Sequence, residues 1–124
     1  NVKYLADTWL PGFSYRKKVT LDNSSGSEAT DAVVSFSVSY ETSKMNSDFS
    51  DLRFVDSDGT ILKYKIDSYT ADTSASVLVV IPSLPASTKD IYMYYGNADA
   101  LDESDSSISG ASAVNFTPAF ASEE

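Results

Sequence analysis

Apolar and polar residues alternate along much of the chain, and this period of two predicts β-strands. In the longest stretch, every second residue from Ala32 to Tyr40 is apolar. A shorter stretch, 13–21, carries Val19 and Leu21 on one face and Arg16 on the face that we expect to meet solvent. Both segments therefore predict strands that are buried on one side.

The segment Val55–Thr60 contains Asp58 followed by Gly59, a pair that favours a tight turn between antiparallel strands. Leu62, Tyr64 and Ile66 follow at alternate positions. We interpret them as the buried face of the returning strand.

Two apolar runs in the second half of the chain, 77–81 (VLVVI) and 91–95 (IYMYY), are typical of strands covered on both faces. Pro82 and Pro85 cannot donate to a ladder and are predicted to end the first strand, and Gly96 to end the second. We therefore expect a β-hairpin from Ile81 to Asn97 at the centre of one sheet.

With a last edge strand at 114–118, these segments give about seven to eight strands. The predicted fold class is all-β, an antiparallel β-sandwich of jelly-roll or immunoglobulin-like topology with little helix. We predict an N-terminal arm or linker at 1–12, one domain at 13–118, and a frayed tail or linker at 119–124. Trp9 in the arm is expected either to pack against one end of the sandwich or to dock on another molecule.

The net charge of the chain restricts the classes of partner that we expect. Eighteen acidic and nine basic residues give a net charge of −9, which repels phosphate backbones and anionic lipids, so we expect no nucleic acid partner. No apolar run approaches the roughly 18 residues that span a bilayer, so we expect no membrane insertion. The chain begins at Asn1 without a signal peptide, so we expect a processed or excised form.

The chain contains neither His nor Cys. This composition excludes Ser-His-Asp and Cys-His nucleophile pairs, His-ligated zinc and thiol redox chemistry. Neither a phosphate-binding P-loop nor a G-x-G-x-x-G motif occurs. The kinds of function that this composition still allows are carboxylate chemistry, calcium binding and surface recognition.

Three ordered motifs together resemble one known family. They are Trp9 with 13–17 (FSYRK) and 19–23 (VTLDN), then 50–59 (SDLRFVDSDG) with 62–64 (LKY), then 80–87 (VIPSLPAS) with 91–97 (IYMYYGN). Between Trp9 and Phe120 the chain thus resembles the extracellular β-domain family catalogued as domain of unknown function 2341.

The resemblance implies an exported accessory domain, because such domains occur in large secreted or surface-anchored proteins of archaea and bacteria. It implies an extracellular or cell-surface location, and the neighbouring domains of a larger surface protein as partners. It implies no reaction and no catalytic residue. Tyr69 departs from the family pattern, in which Trp is more usual at this position.

Asp51, Asp56 and Asp58 lie close in sequence and could offer oxygen ligands to calcium, but the chain has no complete calcium-binding loop. We favour Asp58 as part of the hairpin turn, and Asp51 as a partner of Arg16 or Arg53 or as a cap of a backbone group. We therefore predict no cofactor, with calcium as the alternative.

Five tyrosines could present flat faces to a sugar ring, although we favour core or interstrand packing for most of them: Tyr64, Tyr69, Tyr92, Tyr94 and Tyr95. Four acidic residues could supply the carboxylate pair of a glycoside hydrolase: Glu41, Asp67, Asp102 and Glu103. Lys17 or Lys18 with Asn115 could form an amide crosslink, which we do not expect. No residue is assigned a catalytic, cofactor-binding or metal-binding role.

We expect a non-catalytic module that serves adhesion or the recognition of glycan or protein, without enzymatic activity. The alternative is a structural subunit or spacer of an extracellular filament or surface layer, with like subunits as its partners and with residues 1–12 donated as a strand to a neighbour's sheet. A carbohydrate-active enzyme would require two facing carboxylates in a cleft.

Overall fold

The structure, a computed structural model that describes residues 2–124, is a β-sandwich of two four-stranded sheets. The strands are β1 (Tyr15–Asp22), β2 (Ala29–Ser39), β3 (Arg53–Asp56), β4 (Tyr64–Thr70), β5 (Ser74–Leu84), β6 (Thr88–Tyr95), β7 (Val114–Asn115) and β8 (Ala119–Phe120). Sheet A has the order β3-β6-β1-β8, and sheet B has the order β4-β5-β2-β7. The all-β sandwich is confirmed, with one parallel pair, β2 and β7, in the described part of the chain.

The core lies between the sheets and consists of the side chains that the alternation places on one face. Val34, Phe36 and Val38 of β2 are buried, as predicted, and they share one core with Val19 and Leu21 of β1. Phe36 meets Phe54 of the opposite sheet edge to face, with 5.9 Å between the ring centroids. The described part of the chain contains no helix long and apolar enough to cross a membrane.

The expected hairpin between the two apolar runs is wrong. β5 lies at the centre of sheet B and β6 at the centre of sheet A, so residues 85–87 cross from one sheet to the other. Pro82 does not end β5, which continues to Leu84. Pro82 has no amide hydrogen to donate, and the pairing of β2 with β5 omits one pair at this point, between Pro82 and Asp31. Asp31 adopts a φ of 52° there. Two central strands can thus be neighbours in sequence without being neighbours in a sheet.

The turn at Asp58-Gly59 is confirmed by hydrogen bonds from the Gly59 amide to the Asp56 carbonyl and from the Asp56 amide to the Thr60 carbonyl. The returning segment forms a bridge to β3 at Ile61, opposite Val55. The chain then crosses to sheet B, where β4 pairs with β5.

The N-terminal arm covers the outer face of sheet A. Leu10 is buried there with Val55 and Tyr94, and the Tyr4 amide donates to the Gly59 carbonyl at 2.7 Å. Trp9 lies edge to face on Tyr94, with 5.8 Å between ring centroids. The arm therefore packs on its own domain, over a sheet face rather than at an end of the sandwich.

The C-terminal segment crosses the outer face of sheet B and then returns to sheet A. Lys65 donates to the Ile108 carbonyl, and β8 then pairs with β1. The amides of Ala121 and Glu124 continue this ladder to the carbonyls of Lys18 and Arg16. The fraying expected at 119–124 is therefore wrong, because these residues extend sheet A; the division of the chain into arm, domain and tail stays a prediction.

Candidate functional site

A β-bulge in β4 determines where Tyr69 lies. The register with β5 shifts between Ile66 and Ser68, so that Asp67 is an extra residue. Ile66 is opposite Val77 and Tyr69 is opposite Ala75, and both of these β5 residues belong to the core. The bulge thus places Tyr69 on the same side of the strand as Ile66, next to the end of β4.

The Tyr69 ring lies at the open edge of the sandwich. Its centroid is 6.3 Å from that of Phe49, which is fully buried and meets it edge to face. Tyr69 is nevertheless 52% exposed, because β4 is an edge strand and the ring extends past the core. A buried aromatic residue therefore packs against the ring, while about half of the surface of Tyr69 remains exposed to solvent.

Three carboxylates from three segments line one cleft together with this ring. Asp48, Asp67 and Asp102 line an open cleft of about 390 Å³ with Tyr69 and Ser68, which we call the Tyr69 cleft. The Ser50 amide donates to Oδ1 of Asp48 and the Ser104 amide to Oδ1 of Asp102, so each loop orients its own carboxylate. Hydrogen bonding by Ser50 lowers the pKa of Asp48, which keeps it ionised at neutral pH.

Each carboxylate of the cleft has its own partner within the chain. Asp67 is 3.7 Å from the Lys65 ammonium, which lies two residues before it on β4. Within residues 2–124, no three acidic side chains come together in a way that could hold a metal ion. The cleft therefore offers separate hydrogen-bond acceptors beside an aromatic face.

The three aspartates considered for calcium have different partners. Oδ2 of Asp51 accepts the amides of Gly96 and Asn97, and its Oδ1 accepts the Asn46 amide. Asp51 is thus a cap of backbone groups, one of the alternatives that the sequence left open. Asp56 binds Lys89 at 2.7 Å, and Asp58 accepts the Thr60 amide within the turn.

The five candidate tyrosines do not form one platform. Tyr64, Tyr94 and Tyr95 are buried, and Tyr92 is half-buried against Arg16. Burial raises the pKa of Tyr95, whose hydroxyl donates to Glu123. Packing in the core or between strands is confirmed for these residues, and Tyr69 alone among the five is exposed.

Of the four acidic residues considered for hydrolysis, Asp67 and Asp102 meet in the Tyr69 cleft. Glu41 binds Lys17 at 2.6 Å, and Glu103 is 3.5 Å from Arg53. Sequence reasoning missed Asp48, because only the folded loop 40–52 brings it to β4. The crosslink candidates have separate partners, since Asn115 accepts a hydrogen bond from the Ser35 hydroxyl.

Arg16 is the clearest departure from the predicted solvent face of β1. It is 3% exposed, and its guanidinium donates to the Tyr94 hydroxyl, the Ala6 carbonyl and Glu124. Alternation alone gave no signal of this burial, because the covering residues come from the two ends of the chain.

The fold defines a small all-β sandwich domain whose outer faces are both crossed by its own chain. The model of the family described as Domain of unknown function (DUF2341) matches residues 48–118, more than half of the chain, and the chain therefore belongs to this family. The match confirms the family expected from the three motifs and includes every residue of the Tyr69 cleft. No curated protein and no solved structure matches the chain.

Proposed function

We propose that this domain is a non-catalytic recognition module of a secreted or surface-anchored protein, and that it binds a saccharide in the Tyr69 cleft. The observation that supports the proposal is the exposed Tyr69 ring, held by buried Phe49 and bordered by three carboxylates. Adhesion to a glycan-bearing surface is the role that such binding would serve.

The ring and the carboxylates complement two properties of a sugar. The apolar C–H face of a pyranose ring packs on an aromatic face, and the Tyr hydroxyl leaves a polar tip in water. The hydroxyl groups at the rim of the sugar are donors, and ionised carboxylates are strong acceptors for them. Because Asp48, Asp67 and Asp102 are all acidic, we expect the cleft to bind neutral sugars and to repel uronic and sialic acids.

The pKa of Asp48 argues against this residue as the proton donor of a hydrolase. A glycoside hydrolase needs one carboxylic acid with a raised pKa as its proton donor. In the Tyr69 cleft, hydrogen bonds from Ser50 lower the pKa of Asp48 instead. Asp48 is therefore ionised at neutral pH and is unsuited to act as that proton donor.

The alternative role, a filament or surface-layer subunit with a donated N-terminal strand, has less support. Leu10 is buried against Val55 and Tyr94 of its own sheet, and the Tyr4 amide is already bound to Gly59. Donation of the arm would first have to break these contacts.

The test is a glycan array with the full chain, followed by titration calorimetry on the neutral oligosaccharides that bind. We expect Tyr69→Ala to weaken binding by about tenfold or more, because it removes the stacking surface. Phe120→Ala is the matched control, since Phe120 is also an exposed aromatic residue but belongs to β8 in sheet A.

Four results decide the proposal. Binding that is lost in Tyr69→Ala and kept in Phe120→Ala supports it. Absence of binding to every saccharide at millimolar concentration overturns it, as does equal binding by both variants. Cleavage of a bound oligosaccharide, seen by mass spectrometry, would overturn the non-catalytic role.

A further inference from the structure

Two asparagines of the chain begin the sequence Asn-x-Ser/Thr, which is the acceptor motif for N-linked glycans when x is not proline. The two motifs are 23–25 (NSS) and 115–117 (NFT). The other three asparagines, Asn1, Asn46 and Asn97, have no Ser or Thr two positions later. A motif of three residues also arises by chance, so the surroundings of each side chain decide whether it can carry a glycan.

The second motif lies at an edge of sheet B. Asn115 belongs to the edge strand β7 and is opposite Ser35 of β2, and the Phe116 amide continues this ladder to the Ser35 carbonyl. Asn115 and Thr117 are exposed, whereas Phe116 between them packs against the core. The alternation of the extended chain thus presents to solvent both the amide and the hydroxyl that a transferase must recognise.

The amide nitrogen of Asn115 is available for modification. The Ser35 hydroxyl donates to Oδ1 of Asn115, and Nδ2 donates to no other side chain or carbonyl within residues 2–124. An N-linked glycan replaces one hydrogen of Nδ2 and leaves the carbonyl oxygen in place, so the bond from Ser35 can persist. Attachment at Asn115 therefore breaks no hydrogen bond of the described chain.

The side chain of Asn23 is in the opposite situation. It is 6% exposed, and its Nδ2 donates both hydrogens, to the Pro85 carbonyl at 2.8 Å and to the Ser27 carbonyl at 3.0 Å. Gly26 packs directly against its Oδ1. A glycan would have to replace one of the two hydrogens and would break a hydrogen bond at a buried position. The folded chain therefore excludes a glycan at Asn23.

We propose that Asn115 is the acceptor of an N-linked glycan in the exported protein and that Asn23 is not. The donor is an oligosaccharide carried on a lipid diphosphate, and a separate transferase catalyses the step. Nδ2 of Asn115 attacks the anomeric carbon, so that a C–N bond forms as the C–O bond to the phosphate breaks. The lipid diphosphate leaves with that electron pair, and one Nδ2 hydrogen passes as a proton to a base of the transferase.

The inference rests on the export that the proposed function includes, and it does not depend on the Tyr69 cleft. β7 and β4 form opposite edges of sheet B, three strand spacings or roughly 14 Å apart. A glycan on Asn115 therefore leaves the Tyr69 cleft open.

Pro118 follows the second motif directly and limits how completely it is modified. The residue before a proline is restricted to extended backbone, so Thr117 has little freedom to adapt to the site of a transferase. We therefore expect a glycan on only a fraction of the chains. Pro118→Ala removes the restriction and should raise that fraction.

The experiment is secretion of the full chain, behind a cleavable signal peptide, from a eukaryotic host cell that adds N-linked glycans to secreted proteins. Mass spectrometry of the intact folded protein counts the glycans. Enzymatic removal of the glycan in heavy-oxygen water converts the acceptor Asn into labelled Asp, and peptide sequencing then locates it. We expect a fraction of the chains to carry one glycan, at Asn115.

Three variants test the motif itself. Thr117→Ala should lose the glycan although Asn115 is still present, and Thr117→Ser, which restores a hydroxyl, should keep it. Ser25→Ala is the matched control, because it removes the hydroxyl of the other motif at an exposed position and leaves the buried Asn23 side chain intact. It should secrete protein with the same mass distribution as the original chain.

A glycan at Asn115 that is lost in Thr117→Ala and kept in Ser25→Ala supports the inference. Secretion of the folded original chain without any glycan overturns it, even if Pro118→Ala is modified. A glycan on Asn23 of the folded protein, or one that persists in Thr117→Ala, also overturns it. The proposed function is tested separately, because Asn115→Gln should bind saccharides like the original chain, and absence of saccharide binding would not remove a glycan from Asn115.

Discussion

The guanidinium of Arg16 lies 4.5 Å from the ring centroid of Trp9, and this contact joins the first strand to the N-terminal arm. Tyr92 also stacks on the guanidinium, at 4.2 Å. The same group donates to the Ala6 carbonyl at 2.6 Å and to Glu124 at 2.9 Å. One side chain of sheet A thus binds both the arm and the C-terminal segment.

Arg16→Lys should destabilise the domain by about 2 kcal/mol, because an ammonium can neither stack as a plane nor replace the four directed hydrogen bonds of the guanidinium. Urea unfolding followed by fluorescence of Trp9, the single tryptophan, measures the change. Lys18→Arg, at an exposed position of the same strand, is the control and should lie within about 0.5 kcal/mol of the original chain. Equal effects of the two substitutions would contradict the role of Arg16.

Asp51→Asn should cost about 2–3 kcal/mol, because its carboxylate is buried and accepts three backbone amides. The Asn side chain has only one acceptor oxygen, and its NH₂ group would face a backbone amide that is itself a donor. Asp58→Asn removes the same charge from an exposed turn and should change the free energy of unfolding by less than about 0.5 kcal/mol. Denaturant unfolding at neutral pH compares the free energies of unfolding of the two variants. Similar losses in both would show that the removed charge, and not the three buried hydrogen bonds, determines the effect.

Glu123 should make stability depend on pH. Lys44, and then the Tyr95 hydroxyl, lower the pKa of Glu123 below its ordinary value of 4.5. A carboxyl whose pKa is lower in the folded state contributes fully above the unfolded value, and the contribution is lost as pH falls through the folded value. Unfolding measured at about pH 7 and at about pH 3.5 should therefore show a smaller loss in Glu123→Gln than in the original chain. If Glu123→Gln loses more unfolding free energy than the original chain between these pH values, the prediction is wrong.

Gly59→Ala should destabilise the turn and release the arm. Gly59 has a φ of +89°, and a Cβ there would lie 2.8 Å from the Tyr4 nitrogen. Strain of this kind costs about 1–3 kcal/mol, and hydrogen exchange at Tyr4 should become faster. Gly110→Ala is the control, because it lacks a left-handed φ and meets only the flexible end of Leu78 at 3.3 Å. If the rate of hydrogen exchange at Tyr4 is unchanged in Gly59→Ala, the arm does not depend on the turn, and the prediction is wrong.

The features that the sequence predicts correctly are those decided within a few residues. The burial of Val34, Phe36 and Val38 follows from alternation, and the turn at Gly59 follows from its local backbone chemistry. The pairing of β5 and β6 could not be predicted, because partner choice depends on contacts that are distant in sequence.

The candidate site was only partly predictable for the same reason. Tyr69 and Asp67 are visible as residue types, but the exposure of the ring depends on a bulge that no local pattern signals. Asp48 and Asp102 come from loops on either side of β4 in the sequence. The burial of Arg16 likewise depends on Trp9 and Glu124, which meet it only in the folded chain.

The bulge in β4 separates the aromatic ring of the cleft from the carboxylate beside it. Asp67 is the residue without a partner on β5, so its deletion would restore a regular ladder and leave Tyr69 opposite Ala75. A domain of this fold could therefore change the charge of its cleft by losing a single residue, without turning the ring to the other face of the strand.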